Sequence, residues 1–111
     1  MIPPKDLFWD QLAIESYKYL LKRNKGQALI HNNMGLAYQR INRENKAIRA
    51  FEKAIKCDNT HIEAYYHLAT LLKKQHKPKI ALRYFKHYHN LLRRNLQQDI
   101  DELNNHNQDQ A

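Results

Sequence analysis

One pattern recurs three times along this chain at a constant interval. Ala13, Ala47 and Ala81 are spaced 34 residues apart in the sequence. An aromatic residue follows each alanine after four positions and an apolar or small residue after seven, at Tyr17 and Leu20, Phe51 and Ala54, and Phe85 and Tyr88. Positions i, i+4 and i+7 share one face of an α-helix, so each repeat contains a helix that a second helix can approach closely at the alanine. A constant interval of this length predicts stacked units that bury their apolar faces against one another.

The residues upstream of these alanines repeat as well. Small and apolar positions recur at the same interval, at Met34, Gly35 and Tyr38 and again at Leu68, Ala69 and Leu72. With these residues the chain resembles the tetratricopeptide repeat family, in which a small residue lies early in the first helix and the alanine and aromatic residues lie in the second. The resemblance implies an all-α fold, an α-solenoid of antiparallel helix hairpins that forms a superhelix.

The resemblance divides the chain into four parts. We expect residues 28–61 and 62–95 to be one complete repeat each, and residues 1–27 to form an N-terminal helix that is either half a repeat or a cap. Residues 96–111 are expected to be a helix extension and a tail. About five helices are predicted, near 5–24, 28–41, 44–57, 61–75 and from 78 onward. The last helix is predicted to run to about Leu103 and to be followed by a disordered acidic and polar tail.

Composition narrows the class of protein further. The chain has 111 residues with two glycines and three prolines, which disfavours sheets with tight turns. The single Cys57 excludes an internal disulfide framework. No secretory signal and no run of about 18 apolar residues is present, so we expect a soluble cytoplasmic protein without a membrane span.

Residues that carry chemistry are sparse. None of the seven histidines has another histidine three or four positions away, the spacing that points two metal ligands the same way from a helix. Two glycines are too few for a phosphate-binding loop, and Cys57 at a helix end is interpreted as a packing residue. The sequence therefore predicts a protein that is not an enzyme, with no cofactor and no metal.

The first predicted binding surface is a concave groove. The resemblance implies that it is lined by the first helix of each repeat, at Leu29, Asn32, Asn33, Leu36, Gln39, Arg40, Glu63, Tyr66, His67, Thr70, Lys73 and Lys74. Asparagine amides bind peptide backbones and cations bind carboxylates, so we expect the groove to bind an acidic peptide of a protein partner. Some family members clamp the terminal carboxylate of a chaperone, but Leu36 and His67 stand where clamp asparagines are expected. The predicted function is an adaptor, scaffold or assembly factor.

A second surface gives an alternative function. Lys46, Arg49, Lys53 and Lys56 form a basic stripe on one helix, which Lys18, Lys22, Arg83 and Lys86 extend. All 19 Lys and Arg residues precede residue 95, so residues 1–98 carry 19 − 7 = +12 and the remainder carries −4. Such a stripe on the convex face is suited to a phosphate backbone, which makes a nucleic-acid-binding protein the less favoured alternative.

The third surface is the last helix. Apolar residues continue along it at Tyr88, Leu91, Leu92, Leu96 and Ile100, and we expect them to mediate self-association as a homodimer. Arg93 and Arg94 would then face Asp99, Asp101 or Glu102 of a second chain. The alternative is a break at Asn95, after which a short helix folds back over the same residues.

Overall fold

The computed structural model describes residues 5–23 and 27–109, and five helices account for nearly all of them. They are α1 (Lys5–Arg23), α2 (Ala28–Arg40), α3 (Glu44–Cys57), α4 (Ile62–Lys74) and α5 (Pro78–Asp109). No strand is present in these two ranges. The predicted all-α fold of five helices is confirmed, and helix ends agree closely with the sequence prediction up to Pro78.

The two hairpin turns are built in the same way at equivalent positions of the two repeats. Asn42 and His76 adopt positive φ angles of 61° and 60°. The backbone N–H of Arg43 donates to the carbonyl oxygen of Tyr38 at 2.8 Å, and that of Lys77 donates to Leu72 at 3.0 Å. This is the Schellman arrangement, which satisfies the last carbonyls of α2 and α4 and reverses the chain.

The helices pack as two hairpins with α1 against the first. The α2–α3 and α4–α5 contacts are the most extensive, α1 packs on α2, and the two hairpins meet mainly through α3 and α4. Two of the repeated alanines lie at these contacts, since Ala47 is fully buried and Ala81 is 2% exposed, whereas Ala13 of α1 is half-buried. A Cβ atom built on Gly35 would overlap the ring of Phe51, so the small residue of α2 is what lets α3 approach.

The last helix is longer than predicted. It is continuous across Asn95, so the proposed break and folded-back helix do not occur, and it passes Leu103 to reach Asp109. The predicted disordered tail is therefore helical as far as Asp109, and its last two residues lie outside the described part of the chain. Once a helix is nucleated, each further residue adds one hydrogen bond, which allows a polar segment to extend it.

Candidate binding site

Two cations of the predicted groove are bound within the chain. The Nε of Arg40 donates to the carboxylate of Asp10 in α1 at 2.7 Å. The Nζ of Lys74 lies 3.1 Å from the carboxylate of Glu44, which also accepts from the Gln75 amide at 2.9 Å. These bonds lower the pKa of Glu44, the Gln75 bond having the larger effect. Arg40 and Lys74 therefore connect neighbouring helices, and a partner's carboxylate would have to compete with an internal one.

The other residues of the predicted groove differ in how far they are buried. Asn32 is fully buried, and neither its amide nitrogen nor its amide oxygen has a hydrogen-bond partner in the structure. The prediction that Asn32 lines a binding surface is wrong, because α3 and α4 pack around this part of α2. The hydroxyl of Thr70 donates to the carbonyl oxygen of Tyr66 at 2.8 Å. Asn33, Leu36 and Gln39 are half-buried, and Lys73 is exposed.

The two aromatic residues of the predicted groove, Tyr66 and His67, lie against neighbouring helices. The ring of His67 stacks on Phe51 of α3 with centroids 5.6 Å apart, and burial lowers its pKa. Tyr66 is 45% exposed and its ring lies 5.3 Å from that of Tyr88 in α5. His67 therefore belongs to the helix packing, whereas Tyr66 keeps a surface for a partner at the far end of the stack.

A different cleft is lined by several positively charged side chains. It lies between α1 and α3, which do not contact each other within the described residues, and its floor is α2. Its volume is about 560 Å³. We call it the basic cleft, and it is lined by Lys18, Leu21, Lys22, His31, Met34, Tyr38, Lys46, Arg49, Ala50 and Lys53.

The basic cleft combines positive walls with an apolar floor. Lys22, Lys46, Arg49 and Lys53 have no carboxylate at ion-pair distance among the described residues, while Lys18 lies 3.4 Å from Glu15. Burial, with a smaller effect of the Lys53 ammonium, lowers the pKa of His31, so its imidazole is largely neutral at neutral pH. The cleft can therefore hold several anionic groups around a buried apolar one.

The sequence predicts the basic residues on both walls of this cleft, but it does not predict that they face each other across a cleft. Lys46, Arg49, Lys53 and Lys56 are exposed along α3 as predicted, and Lys18 and Lys22 join them across the opening. Arg83 and Lys86 lie on α5, away from it. The missed part is the apolar lining, in particular Met34 of α2 and Leu21 of α1. The one indication in the sequence is Ala50, because a small residue on the basic side of α3 leaves space between α3 and α1.

The self-association residues lie along α5 in two groups. Tyr88, Leu91 and Leu92 are half-buried against the hairpin, whereas Leu96 and Ile100 are 54% and 49% exposed on the part that projects beyond it. The pattern places large apolar side chains in solvent on a long helix.

Within the described residues, no group of three or more His, Cys, Asp or Glu side chains is arranged to hold a metal ion. None of the helices there has the length and apolar character that crossing a membrane requires.

The repeated hairpins, the shared turn geometry and the buried alanines define an α-helical repeat protein. Sequence models of the tetratricopeptide repeat match residues 28–61 and residues 50–83. Together they cover both hairpin turns and all of α2, α3 and α4, and the chain belongs to the tetratricopeptide repeat family. The match to residues 28–61 has the bounds of the first predicted repeat, whereas the match to residues 50–83 does not have those of the second, 62–95. No curated protein matches the chain at a significant level.

Solved structures of MamA share this fold. A crystal structure of MamA superimposes with a TM-score of 0.77 and 25% identity over 79% of this chain. A structure of MamA from Desulfovibrio magneticus RS-1, beginning at residue 41, gives 0.72 and 25% over 77%. The matched regions are 52% and 48% of those chains, so this protein spans about half the length of these relatives.

Proposed function

We propose that this chain is a non-catalytic protein-interaction module, an adaptor or scaffold that binds an acidic segment of a partner protein. Membership of the tetratricopeptide repeat family and the likeness to MamA support an interaction role. The proposal that the partner is acidic rests on the basic cleft, where five Lys and Arg side chains surround an apolar floor. The predicted cytoplasmic location stays a prediction.

The chemistry of the cleft favours an amphipathic acidic segment. An apolar side chain of the partner would lie on Met34, Leu21 and Ala50, and neighbouring carboxylates would reach the cations on both walls. A phosphate backbone would use the walls but would leave the floor uncovered. Tyr38, the aromatic residue of the cleft, is half-buried with Lys46 5.9 Å above its ring, which leaves little of it for stacking on a base.

The groove predicted on α2 and α4 is the competing position for the same partner. Tyr66 and Lys73 are among its exposed residues, and Asn33, Leu36 and Gln39 are partly accessible. Because Arg40 and Lys74 already bind Asp10 and Glu44, this surface offers fewer free cations than the cleft. We therefore place the acidic segment in the basic cleft.

The experiment measures fluorescence anisotropy of a labelled peptide of alternating leucine and glutamate, at increasing salt. Reversing Lys46, Arg49 and Lys53 to glutamate should weaken binding at least about tenfold. The matched control reverses Lys79, Arg83 and Lys86 of α5, which makes the same charge change outside the cleft and should leave affinity within about twofold. A third variant, Lys73→Glu, tests the groove without disturbing the Lys74–Glu44 pair.

Two further arms separate the alternatives. A peptide with serine in place of leucine should bind more weakly than the original, because it leaves the apolar floor empty. A labelled single-stranded DNA should bind more weakly than the leucine–glutamate peptide at physiological salt. Tighter DNA binding with a steep loss on added salt would establish the nucleic-acid alternative, and loss of peptide binding in Lys73→Glu alone would move the site to the groove.

A further inference from the structure

The two repeats of this chain differ in burial at equivalent positions, and the difference falls on one surface. Phe51 and Ala54 of α3 are fully buried, whereas Phe85 and Tyr88, their counterparts one repeat later on α5, are only half-buried. The fully buried Asn32 corresponds to Tyr66, which is 45% exposed. In the first repeat α4 covers these positions, and no other helix among residues 5–23 and 27–109 covers them in the second.

The uncovered surface continues along α5 as one apolar strip. Beyond Phe85, large apolar residues recur at Leu92, Leu96, Ile100 and Leu103, at the three- and four-residue spacing that keeps them on one side of the helix. We call these five residues the α5 strip. Leu96, Ile100 and Leu103 are 54%, 49% and 62% exposed, so none of the other helices among residues 5–23 and 27–109 covers this half of the strip. A helical segment with a solvated apolar face is stabilised mainly by packing, which points to an occupant outside the chain.

The centre of the strip is symmetric about Leu96. Leu92 and Ile100 lie four residues on either side of it, and His89 and Leu103 lie seven residues on either side. A twofold axis at Leu96 that pairs α5 with a second, antiparallel α5 therefore sets Leu92 level with Ile100 and His89 level with Leu103. Such an interface is isologous, so the contact between Leu92 of one chain and Ile100 of the other occurs twice.

The charges along α5 are divided between its two halves, and this division favours one relative orientation of two paired α5 helices. Residues 78–94 contain five Lys and Arg and no acidic residue, whereas residues 95–109 contain four acidic residues and no Lys or Arg. In an antiparallel pair the basic half of each helix lies level with the acidic half of the other, while a parallel pair sets like charges together. The helix dipoles favour the same orientation.

We propose that the occupant of the α5 strip is a second copy of this chain, bound through an antiparallel α5 pair centred on Leu96. The overlap from residue 85 to residue 107 is about 33 Å long at 1.5 Å per residue. The pair covers the projecting half of α5 in both copies. The basic cleft lies on α1 to α3 and stays open in this dimer.

The competing occupant is α1 of another copy, which exposes Phe8, Trp9 and Tyr19. Contact between α1 of one chain and α5 of the next would be heterologous and would extend beyond two chains. It would also leave the symmetry of the strip and the charge division of α5 without a role. The antiparallel pair uses both features and ends at two chains.

The first test is the solution mass, measured by sedimentation from low to high micromolar concentration. The intact protein should reach the mass of two chains and no more. Leu96→Glu with Ile100→Glu changes two side chains that are exposed in the single chain, so folding should be unaffected while the dissociation constant rises at least about tenfold. The matched control, Gln98→Glu with Asn105→Glu, adds the same charge on the opposite side of α5 and should stay dimeric.

The second test determines orientation with a short thiol-reactive crosslinker, in protein whose Cys57 is replaced by serine. Leu96→Cys should crosslink to itself, since the twofold axis passes through this position. Leu92→Cys should not, but a mixture of Leu92→Cys and Ile100→Cys chains should form a mixed crosslinked dimer. A monomer at all concentrations, growth beyond two chains, a dimer unaffected by the two glutamates, or self-crosslinking of Leu92→Cys would overturn the proposal.

Discussion

At the scale of single residues, Gly35 has a role that no other residue type can fill. Its position in α2 lies directly under the Phe51 ring, and an added Cβ atom would overlap three atoms of that ring. Because Phe51 is fully buried, the ring has no free space into which it can move. Gly35→Ala should therefore lower the free energy of unfolding by about 1–3 kcal/mol, although alanine is the better helix former.

The comparison is Ala69, the equivalent residue of α4, where Ala69→Gly should cost about 1 kcal/mol through helix propensity and lost packing. Denaturant unfolding followed by circular dichroism at one fixed protein concentration measures both variants. Stabilisation by Gly35→Ala would show that α2 and α3 do not approach as closely as the structure has them.

At the scale of helices, Asp10 and Arg40 connect α1 to the first hairpin in an asymmetric way. Asp10 is 8% exposed, whereas the Arg40 side chain is 55% exposed. Arg40→Met keeps much of the aliphatic stem but leaves a buried carboxylate unpaired, and should cost about 1–3 kcal/mol. Asp10→Asn keeps an acceptor for Arg40 and should cost less. Hydrogen exchange of α1 amides should accelerate in Arg40→Met first, and equal losses of stability in the two variants would contradict this asymmetry.

The same pair shows what the sequence predicts at this scale and what it does not. Periodic positions such as Ala47 and Phe51 located the helices and their contact faces, because burial at i, i+4 and i+7 leaves a local pattern. Arg40 was assigned to partner binding because nothing local indicates that Asp10, which is distant in the sequence, lies beside it. The sequence does not predict the basic cleft either, because its depth depends on the distance between α1 and α3 on α2, which leaves no local pattern. Helix faces are local properties of the chain, whereas ion pairs and clefts require the packed geometry.

At the scale of the whole molecule, two histidines make folding depend on pH. Burial lowers the pKa of His31, which lies in the basic cleft, and that of His67, which stacks on Phe51. Both are therefore largely neutral in the folded protein near neutral pH, while in the unfolded chain they titrate near the usual pKa of about 6.5. Below that pH the unfolded chain binds more protons than the folded one.

Stability from these two groups is therefore complete above about pH 6.5 and decreases as the pH falls toward their lowered pKa values. Hydrogen bonds also lower the pKa of Glu44 and Asp58, so their contributions are lost at more acidic pH, below about 4.5. The urea midpoint should decrease between pH 7 and pH 5.5, measured at one protein concentration so that association does not enter the comparison. His31→Gln with His67→Gln should flatten this decrease while keeping the acidic loss below it. A midpoint that rises as the pH falls through this window would mean that both imidazoles are charged in the folded protein, contrary to their burial in the helix packing.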